Sequence, residues 1–471
     1  MEKIIKGGTL VTEAETFQAD ILIRDEKIAA IGKDLTAEGA EVLDARGMLV
    51  LPGGVDPHVH LSLPFPGTVS SDDHYTGTKA AAFGGTTTVI DFANHDLPSL
   101  VDSFHQWQEK ALPNVAVDYG IHQNFTRFNE NTLKELAALP ELGVTSIKMF
   151  TAYNGRMRLE DGEIFQVLRE AKAQQMLSLI HAENGDLIEV QIAEAVKAGH
   201  LDPGWHARTR SAWGAVESVL RVSALSAEAG NAPIYIVHMN AGGEVDQLRY
   251  ARAHGIPIYG ETCPQYLMFT DEALSREDGA KWVCSPPMRK AADREMLWRS
   301  LEDQTMNAIG TDHCPFLYNG AQSIRYEDQD YCMPGKELGK DDFRKIPNGL
   351  PGVGDRMPVL WTAAVNSGRI SANRFVQLTC TNPAKIFGLY PQKGTILPGS
   401  DADLVFWDPN KEVQYGVKVA KHRTDYNLYE GMMLKGYPVK VLLRGKTIVD
   451  GEHWSGSRGS GRYLLRDRFR D

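Results

Sequence analysis

Residues 54–60 read Gly54-Val55-Asp56-Pro57-His58-Val59-His60. This short apolar run ends on two histidines that are separated by one residue. Side chains alternate between the two faces of a β-strand, so an extended segment would place both imidazoles on the same side. The run therefore predicts a buried strand that ends in two nitrogen ligands. Taken alone, the pair fits a metal site and two structural histidines equally well.

Seven further apolar runs follow, and most are separated by segments with helical patterning. The runs start at Thr86, Val115, Val144, Met176, Ile234, Ile256 and Asn307, and helical examples are Gly162–Gln175, Ala212–Ala229, Glu244–His254 and Ala291–Leu301. Eight strands that alternate with helices predict an α/β fold, a (β/α)8 TIM-like barrel over residues 53–394. A doubly wound sheet is the alternative.

The two ends of the chain carry short strand-like segments instead. Because short strands cannot bury an apolar face alone, we expect both ends to join in one small β-sandwich domain, residues 1–52 with 395–453. Residues 454–471 form a C-terminal arm with five arginines and few apolar side chains. Read by itself, this arm is a solvated or flexible end.

The composition excludes several classes of protein. The chain has 471 residues, of which 42% are hydrophobic and 24% charged, as in ordinary globular proteins. Its net charge of −11 argues against binding nucleic acid. No apolar stretch is long enough to span a membrane, and the amino terminus lacks a signal-peptide core, so we expect a cytoplasmic protein. Five scattered cysteines without a CxxC pair indicate reduced thiols.

Three more potential ligands end predicted strands, namely His181, His238 and Asp312. The carboxyl ends of barrel strands meet at one face, which carries the active site in such folds. A single histidine after a strand is more often structural, but four imidazoles and a carboxylate at one mouth indicate a metal site. His95 and His122 lack a partner at useful spacing and are interpreted as structural or supporting groups. His313 should point away from Asp312.

Lys148 lies at the end of the fourth predicted strand, within an apolar run. Such a lysine usually marks a sheet edge or a side chain that extends along apolar surface to reach solvent with its ammonium. Burial and nearby positive charge lower the pKa of a lysine, however, and the neutral amine can add CO2. The resulting carbamate is an anion with two oxygens. It could bridge two metal ions, one held by His58 and His60 and the other by His181 and His238.

The chain resembles the dihydropyrimidinase and D-hydantoinase family of cyclic amidohydrolases. The matching stretches run in family order over nearly the whole chain: Gly54–His60, Gly67–Asp73, Gly84–Ala93, Ser146–Tyr153, His181–Gly185, Glu261–Leu267, Cys284–Arg289 and Gly310–Cys314. The resemblance implies hydrolysis of the cyclic amide bond of 5,6-dihydropyrimidines and 5-substituted hydantoins to N-carbamoyl amino acids. It also implies a homotetramer.

The resemblance assigns roles residue by residue. It implies two divalent metal ions, usually zinc, and a carboxylated lysine that bridges them. The implied ligands are His58, His60, Lys148, His181, His238 and Asp312. Asp312 would also carry a proton to the leaving nitrogen, and Tyr153 would stabilise the oxyanion. Ser285 and Asn348 match positions that hold the ring amide.

Two stretches differ from the family pattern. Residues Leu317–Lys336 form a longer segment than we expect between Asp312 and Asn348. The segment after His60 also differs, and its Leu63 and Phe65 should wall the pocket beside the ring substituent.

Three rival functions follow from the same sequence. A dihydroorotase typically has arginine where this chain has Ser62, so the anchor for a carboxylate is missing. An allantoinase would need a pocket for a polar ureido arm, whereas Leu63, Phe65 and Met157 favour apolar groups. A non-catalytic scaffold of the same fold would have lost metal ligands, but here all six positions are filled.

Overall fold

The computed structural model describes residues 2–470 and contains two large sheets. In chain order the strands are β1 (Lys3–Val11), β2 (Thr16–Arg24), β3 (Lys27–Gly32), β4 (Glu41–Asp44), β5 (Leu49–Pro52), β6 (Gly54–Val59), β7 (Pro64–Phe65), β8 (Thr68–Val69), β9 (Thr86–Ala93), β10 (Asp118–Asn124), β11 (Ser146–Phe150), β12 (Leu177–His181), β13 (Ile234–Ile236), β14 (Ile258–Thr262), β15 (Ala308–Ile309), β16 (Ile324–Tyr326), β17 (Gln329–Tyr331), β18 (Leu404–Gln414), β19 (Met433–Leu443), β20 (Lys446–Asp450) and β21 (His453–Trp454).

Along the chain, the α-helices lie mainly between the strands of the second sheet, which consists of β6 and β9 to β15. They are α1 (His74–Phe83), α2 (Leu100–Ala111), α3 (Glu130–Glu135), α4 (Asp161–Ala173), α5 (Gly185–Lys197), α6 (Gly204–Arg208), α7 (Ala212–Glu228), α8 (Gly242–Ala253), α9 (Pro264–Met268), α10 (Ala291–Glu302), α11 (Arg356–Leu360), α12 (Ala372–Val376), α13 (Asn382–Ile386) and α14 (Val417–Ala420). Within residues 2–470, no helix combines the length and apolarity needed to cross a membrane.

Eight parallel strands form the second sheet, in the order β6-β9-β10-β11-β12-β13-β14-β15. Beyond β15 the chain returns to β6: the Asp312 amide donates to the His58 carbonyl at 2.9 Å, and the His60 amide donates to the His313 carbonyl at 2.8 Å. These bonds bring the two ends of the sheet together, so the barrel is nearly closed. The predicted (β/α)8 barrel is confirmed, and each of the eight apolar runs contains one of its strands.

The barrel strands are buried on both faces. Every residue of β9, β10 and β11 is buried, although these strands include polar side chains. Helices cover the outside of the barrel and side chains fill the inside, so these strands read as continuous runs rather than as an alternating pattern.

The first sheet joins the two ends of the chain, as predicted. Its order is β21-β20-β19-β18-β5-β1-β2-β3, with β4 paired to β1. The turn after β19 lies against β2, because a Cβ placed on Gly445 would lie 2.8 Å from a side-chain atom of Ile23. Gly445 has a φ of +75°, which only glycine adopts readily. The predicted sandwich is therefore one mixed sheet that curls around a core of its own.

A buried ion cluster connects the end sheet to the barrel. The Lys393 ammonium lies 2.6 Å from the carboxylate of Asp118 on β10, 2.8 Å from that of Asp403 and 3.0 Å from that of Asp401. Burial alone would lower the pKa of Lys393, but the three carboxylates raise it. Because the two parts share this cluster, division of the chain into separate domains at 52/53 and 394/395 stays a prediction.

The C-terminal arm packs on the barrel of its own chain, so the expectation of a solvated end is wrong. The backbone of Tyr119 on β10 accepts from the Leu464 amide at 2.8 Å and donates to the Arg462 carbonyl at 2.9 Å. The Arg466 side chain is 4% exposed and donates to Ser146 Oγ at 2.8 Å. The ladder between β10 and β11 pairs only Gln123 with Ile147 and Asn124 with Lys148, and the arm pairs with the earlier part of β10 through Tyr119 and Tyr463. Local composition could not show this tertiary contact.

Candidate metal centre and active site

The ends of β6 and β15 bring together three of the predicted ligands. His58 Nε2 and His60 Nε2 lie 3.2 Å apart, and each lies 3.2 Å from Asp312 Oδ1. One nitrogen or oxygen atom from each of the three residues can be chosen so that all lie within 4.8 Å of one another. Two nitrogens and one carboxylate oxygen thus converge on a single point at the carboxyl end of the barrel.

A second pair lies next to this group. His181 ends β12 and His238 follows β13, and His181 Nδ1 lies 3.0 Å from His238 Nε2. The ring centroids of His58 and His238 are 5.4 Å apart. The four histidines that the sequence singled out therefore form two adjacent pairs at one face.

Lys148 ends inside this cluster and not at a sheet edge. Its side chain is 2% exposed, and its ammonium lies 5.0 Å from the ring centroid of Phe92. Burial lowers the pKa of Lys148 to about 8. Burial also lowers the pKa of His60, His181 and His238, and the positive charge of Lys148 lowers each of them further. Lys148 is therefore close to both histidine pairs.

Glu261 is a residue that sequence reasoning missed. It lies on β14, and its carboxylate accepts from His58 Nδ1 at 2.7 Å and from the Tyr235 hydroxyl at 3.0 Å. With the proton on Nδ1, the lone pair of His58 Nε2 faces Asp312. Burial opposes a charge on His58, but Glu261 and Asp312 together raise its pKa to about 9. This part of the site therefore attracts positive charge.

Glu183 is the second missed residue, and it does the same for the other pair. Its carboxylate accepts from His181 Nε2 at 2.8 Å and from the Arg210 guanidinium at 2.9 Å. The proton on Nε2 leaves the lone pair of His181 Nδ1 facing His238. The available signal was an acidic residue at the carboxyl end of a barrel strand, as at Glu261, or just beyond one, as at Glu183.

Backbone conformation places several of these side chains. His238 has a φ of 41°, Asp312 of 53° and Tyr153 of 67°. Residues other than glycine rarely adopt positive φ, and such strain concentrates at functional sites. All three residues follow directly on a barrel strand or lie within a few residues of one, where the chain turns sharply away from the barrel.

Tyr153 and Ser285 lie together beside the histidines. The ring of Tyr153 lies 5.0 Å from that of His181, and its hydroxyl lies close enough to Ser285 for the serine to lower its pKa. Burial raises the pKa of Tyr153, so its phenol stays protonated and can donate. Ser285 Oγ also lies 3.3 Å from His206 Nε2, and that nitrogen is hydrogen-bonded to the Cys284 carbonyl at 2.8 Å.

Asn348 lies near Ser285 despite the long segment that precedes it. The amide of Gly349 donates to the Val283 carbonyl at 3.1 Å, which brings the two segments side by side. Asn348 Oδ1 is buried and has no hydrogen-bond partner within residues 2–470. A buried polar atom of this kind is free to meet a ligand.

The segment after His60 reaches the same region. The rings of Phe65 and Phe316 are 5.6 Å apart, and a Cβ placed on Gly349 would lie 3.1 Å from the Phe316 ring. Leu63 is half-buried, and its amide donates to Ser70 Oγ at 3.0 Å. The Phe316 ring thus lies between Phe65 and the segment that carries Asn348.

The other histidines near strand ends do not join the cluster. His122 bonds to Ser146 Oγ at 2.6 Å and to the Pro57 carbonyl at 3.0 Å, and His95 Nδ1 accepts from a backbone amide. His313 Nδ1 accepts from the Gly352 amide at 3.0 Å, so its ring points away from Asp312 as expected.

Comparison with known proteins agrees with this geometry. The amidohydrolase family model matches residues 49–448. A D-hydantoinase of Geobacillus stearothermophilus is 42% identical, over 100% of this chain and 97% of the relative, and one of Streptomyces coelicolor is 41% identical, over 98% and 97%. The crystal structure of dihydropyrimidinase from Brevibacillus agri NCHU1002 superposes with a TM-score of 0.95 at 43% identity, covering 100% of both chains. The chain therefore belongs to the amidohydrolase family, and within it to the group of D-hydantoinases and dihydropyrimidinases.

Proposed function

We propose that this cyclic amidohydrolase uses two divalent metal ions, zinc in the simplest case, to open hydantoin and dihydropyrimidine rings. The observation that supports this most is the arrangement of the two histidine pairs, each with one imidazole held by a buried glutamate. The nitrogens of His58 and His60 face each other and Asp312 across about 3 Å. Two imidazole nitrogens and a carboxylate oxygen at this separation call for a cation or a proton between them, and this set of donors fits a divalent metal ion.

The six predicted ligands divide into two sets. His58, His60 and Asp312 would hold one ion, and His181 and His238 the other. Lys148, close to both sets, would bridge the ions as a carbamate formed with CO2. When bound, the ions would polarise the ring carbonyl and lower the pKa of water so that hydroxide exists near neutral pH.

Asp312 and further residues that bind no metal act on the substrate. Asp312 accepts the proton of the attacking water and delivers it to the ring nitrogen that leaves, which opens the cyclic amide to an N-carbamoyl amino acid. The protonated phenol of Tyr153 donates to the oxygen that becomes negative. Ser285 and Asn348 hold the ring amide, and Leu63 and Phe65 flank its substituent.

A comparison of four substrates tests this specificity. We expect kcat/KM to be high for dihydrouracil and for phenylhydantoin, lower for allantoin and lowest for dihydroorotate. Burying an aryl group against Leu63 and Phe65 contributes roughly 1.5–3 kcal/mol, about one to two decades in kcat/KM. Arg210, which lies over the Tyr153 ring, cannot serve a substrate carboxylate freely, because it is already paired with Glu183 at 2.9 Å.

The four rates are measured on one metal-loaded preparation, so the metal content cancels from the ratios. If allantoin were the best substrate, the polar-arm alternative would replace ours, and dihydroorotate in first place would contradict the interpretation of Ser62. If the protein carried two bound ions and hydrolysed none of the cyclic amides, that result would favour the non-catalytic scaffold.

Glu261→Gln should weaken metal binding without unfolding the barrel. The amide no longer accepts strongly from His58 Nδ1, so the imidazole loses its fixed orientation and part of its basicity. Losing such a partner typically costs about 10–100-fold in metal affinity or activity. The measurement is a competition titration of the apoprotein against a chelator of known affinity.

Glu244→Gln is the matched control. Glu244 is another buried glutamate at this face, but it accepts from the amides of Asn240 and Ala241 at 2.8 and 2.7 Å and, within residues 2–470, from no imidazole. Its replacement should leave metal affinity at the level of the unmodified protein. Equal losses in both variants would show that the Glu261 effect is general destabilisation.

We place this enzyme in the cytoplasm, since all five cysteines are unpaired. The homotetramer that the family resemblance implies stays a prediction. It is supported by apolar side chains exposed on two adjacent helices, such as Trp213 at 79% and Val190 at 56%. The molar mass in solution, measured by light scattering, decides it.

A further inference from the structure

The long segment Leu317–Lys336 is a loop whose two ends lie next to each other. The Lys336 amide donates to the Leu317 carbonyl at 2.7 Å, and between them β16 and β17 form a hairpin. The two ends can meet because Gly335 has no side chain, since a Cβ there would lie 2.0 Å from the Leu317 carbonyl oxygen. The added residues therefore do not displace the chain that continues to Asn348. What they bring to the barrel is Lys336.

Lys336 is buried where no carboxylate neutralises it. Its side chain is 1% exposed, and among residues 2–470 it forms no ion pair within 4 Å. Its ammonium donates to two backbone carbonyls, Val283 at 2.9 Å and Pro347 at 3.1 Å. Burial lowers the pKa of Lys336 to about 7. A buried ammonium without a counter-ion is costly, and the two carbonyls offset part of that cost.

The two carbonyls belong to the segments that carry the proposed ring-amide contacts. Val283 lies two residues before Ser285, and Pro347 lies directly before Asn348. Besides the contacts of Lys336, the structure describes one direct backbone hydrogen bond between these segments, in which the Gly349 amide donates to the same Val283 carbonyl at 3.1 Å. The Lys336 side chain thus links the Val283–Ser285 segment to the Pro347–Asn348 segment.

We propose that Lys336 is a positioning residue for substrate. It holds residues 283–285 and 347–348 at the separation at which both segments can bind one ring amide. The inference rests on the proposed function, in which Ser285 and Asn348 contact that amide. The hydrogen bonds that the structure describes for the Lys336 ammonium go to Val283 and Pro347 and to none of the proposed metal ligands. Loss of this side chain should therefore weaken ring binding while leaving the metal centre intact.

The test compares Lys336→Met with Lys340→Met. Methionine keeps most of the buried volume and removes the donor, whereas Lys340 is an exposed lysine four residues further on. We expect Lys336→Met to bind two metal ions per chain and to lose about 10–100-fold in kcat/KM, since small misplacements of binding groups cost that much. Most of the loss should lie in KM, and it should be the same for unsubstituted hydantoin and for phenylhydantoin. Lys340→Met should behave as the unmodified enzyme.

Lys336→Gln provides a partial rescue, because its amide can still donate to one of the carbonyls, and its KM should fall between the other two. The inference is overturned if Lys336→Met matches Lys340→Met, or if it loses metal and activity in parallel, since either result removes a specific role toward the ring. Failure of the proposed function looks different, because the unmodified enzyme would then open neither hydantoin.

Discussion

Replacing Lys148 with alanine should remove bound metal and hydrolytic activity together. Lys148 is 2% exposed and its charge acts on both histidine pairs. As a carbamate it would supply the anionic bridge between two cations, and alanine leaves them to repel each other. We expect kcat/KM to fall on the order of 10⁴-fold, about 5 kcal/mol of transition-state stabilisation. Elemental analysis and hydantoin hydrolysis are measured on the same sample.

Rescue separates this bridge from a purely structural lysine. Small carboxylic acids such as acetate or propionate fit the space left by the side chain and carry the same two oxygens. Added with metal to Lys148→Ala, they should restore part of both metal content and activity, whereas alkylamines should not. Full activity with two bound ions in unsupplemented Lys148→Ala would rule out the carbamate.

The barrel could be predicted from the sequence because its strands are buried on both faces. Runs such as Thr86–Ala93 are continuous and bounded by helical patterns, so each strand is visible locally. The last strand is harder, since β15 has only two residues and the barrel closes through the hydrogen bonds of residues 310–313. Closure is a long-range contact that no local pattern carries.

The end domain and the arm mark the limits of local reasoning. Both chain ends were expected to join because their strands are short, and they do. The curl of one sheet over its own core depends on packing between residues as distant as Ile23 and Gly445. The arm reads as polar, yet Arg466 is buried at 4% because barrel groups accept its hydrogen bonds.

The candidate site was predictable where chemistry and strand position coincide. His181 and His238 stand at strand ends and carry metal-ligand chemistry, so they attract attention in sequence. Glu261 is less visible, because an acidic residue at the end of a strand marks the mouth of the barrel but does not show which histidine it will meet. The positive φ of Asp312 is invisible in the sequence, although it turns the carboxylate toward His58 and His60.

The two buried lysines at this face show how the surroundings decide a role. Lys148 lies among imidazoles and aromatic rings, where a neutral amine can be modified to an anion. Lys336 lies between two carbonyls and donates to both. In the proposed function the same residue type thus serves one part of the site as the precursor of an anionic carbamate and another part as a hydrogen-bond donor.

Asp312→Asn should lower kcat by about 10²–10⁴-fold, the usual contribution of a positioned general acid or base. Asparagine keeps the shape of the side chain and an oxygen directed at His58 and His60, but it cannot accept the proton of the attacking water. The measurement is kcat on dihydrouracil as the metal concentration is raised to saturation. Asp72→Asn is the control, because Asp72 is a buried carboxylate that lies 3.2 Å from the His313 imidazole and outside the cluster.

Metal saturation distinguishes the two roles of Asp312. If the carboxylate served only as a ligand, excess metal would refill the weakened site of Asp312→Asn and kcat would return to that of the Asp72→Asn control. If it also carries the proton, the variant reaches full metal content and kcat stays low, because no other carboxylate that the structure describes lies within 4 Å of both His58 Nε2 and His60 Nε2. We expect the second result. Recovery of kcat at saturating metal would assign the proton transfer to a group other than Asp312.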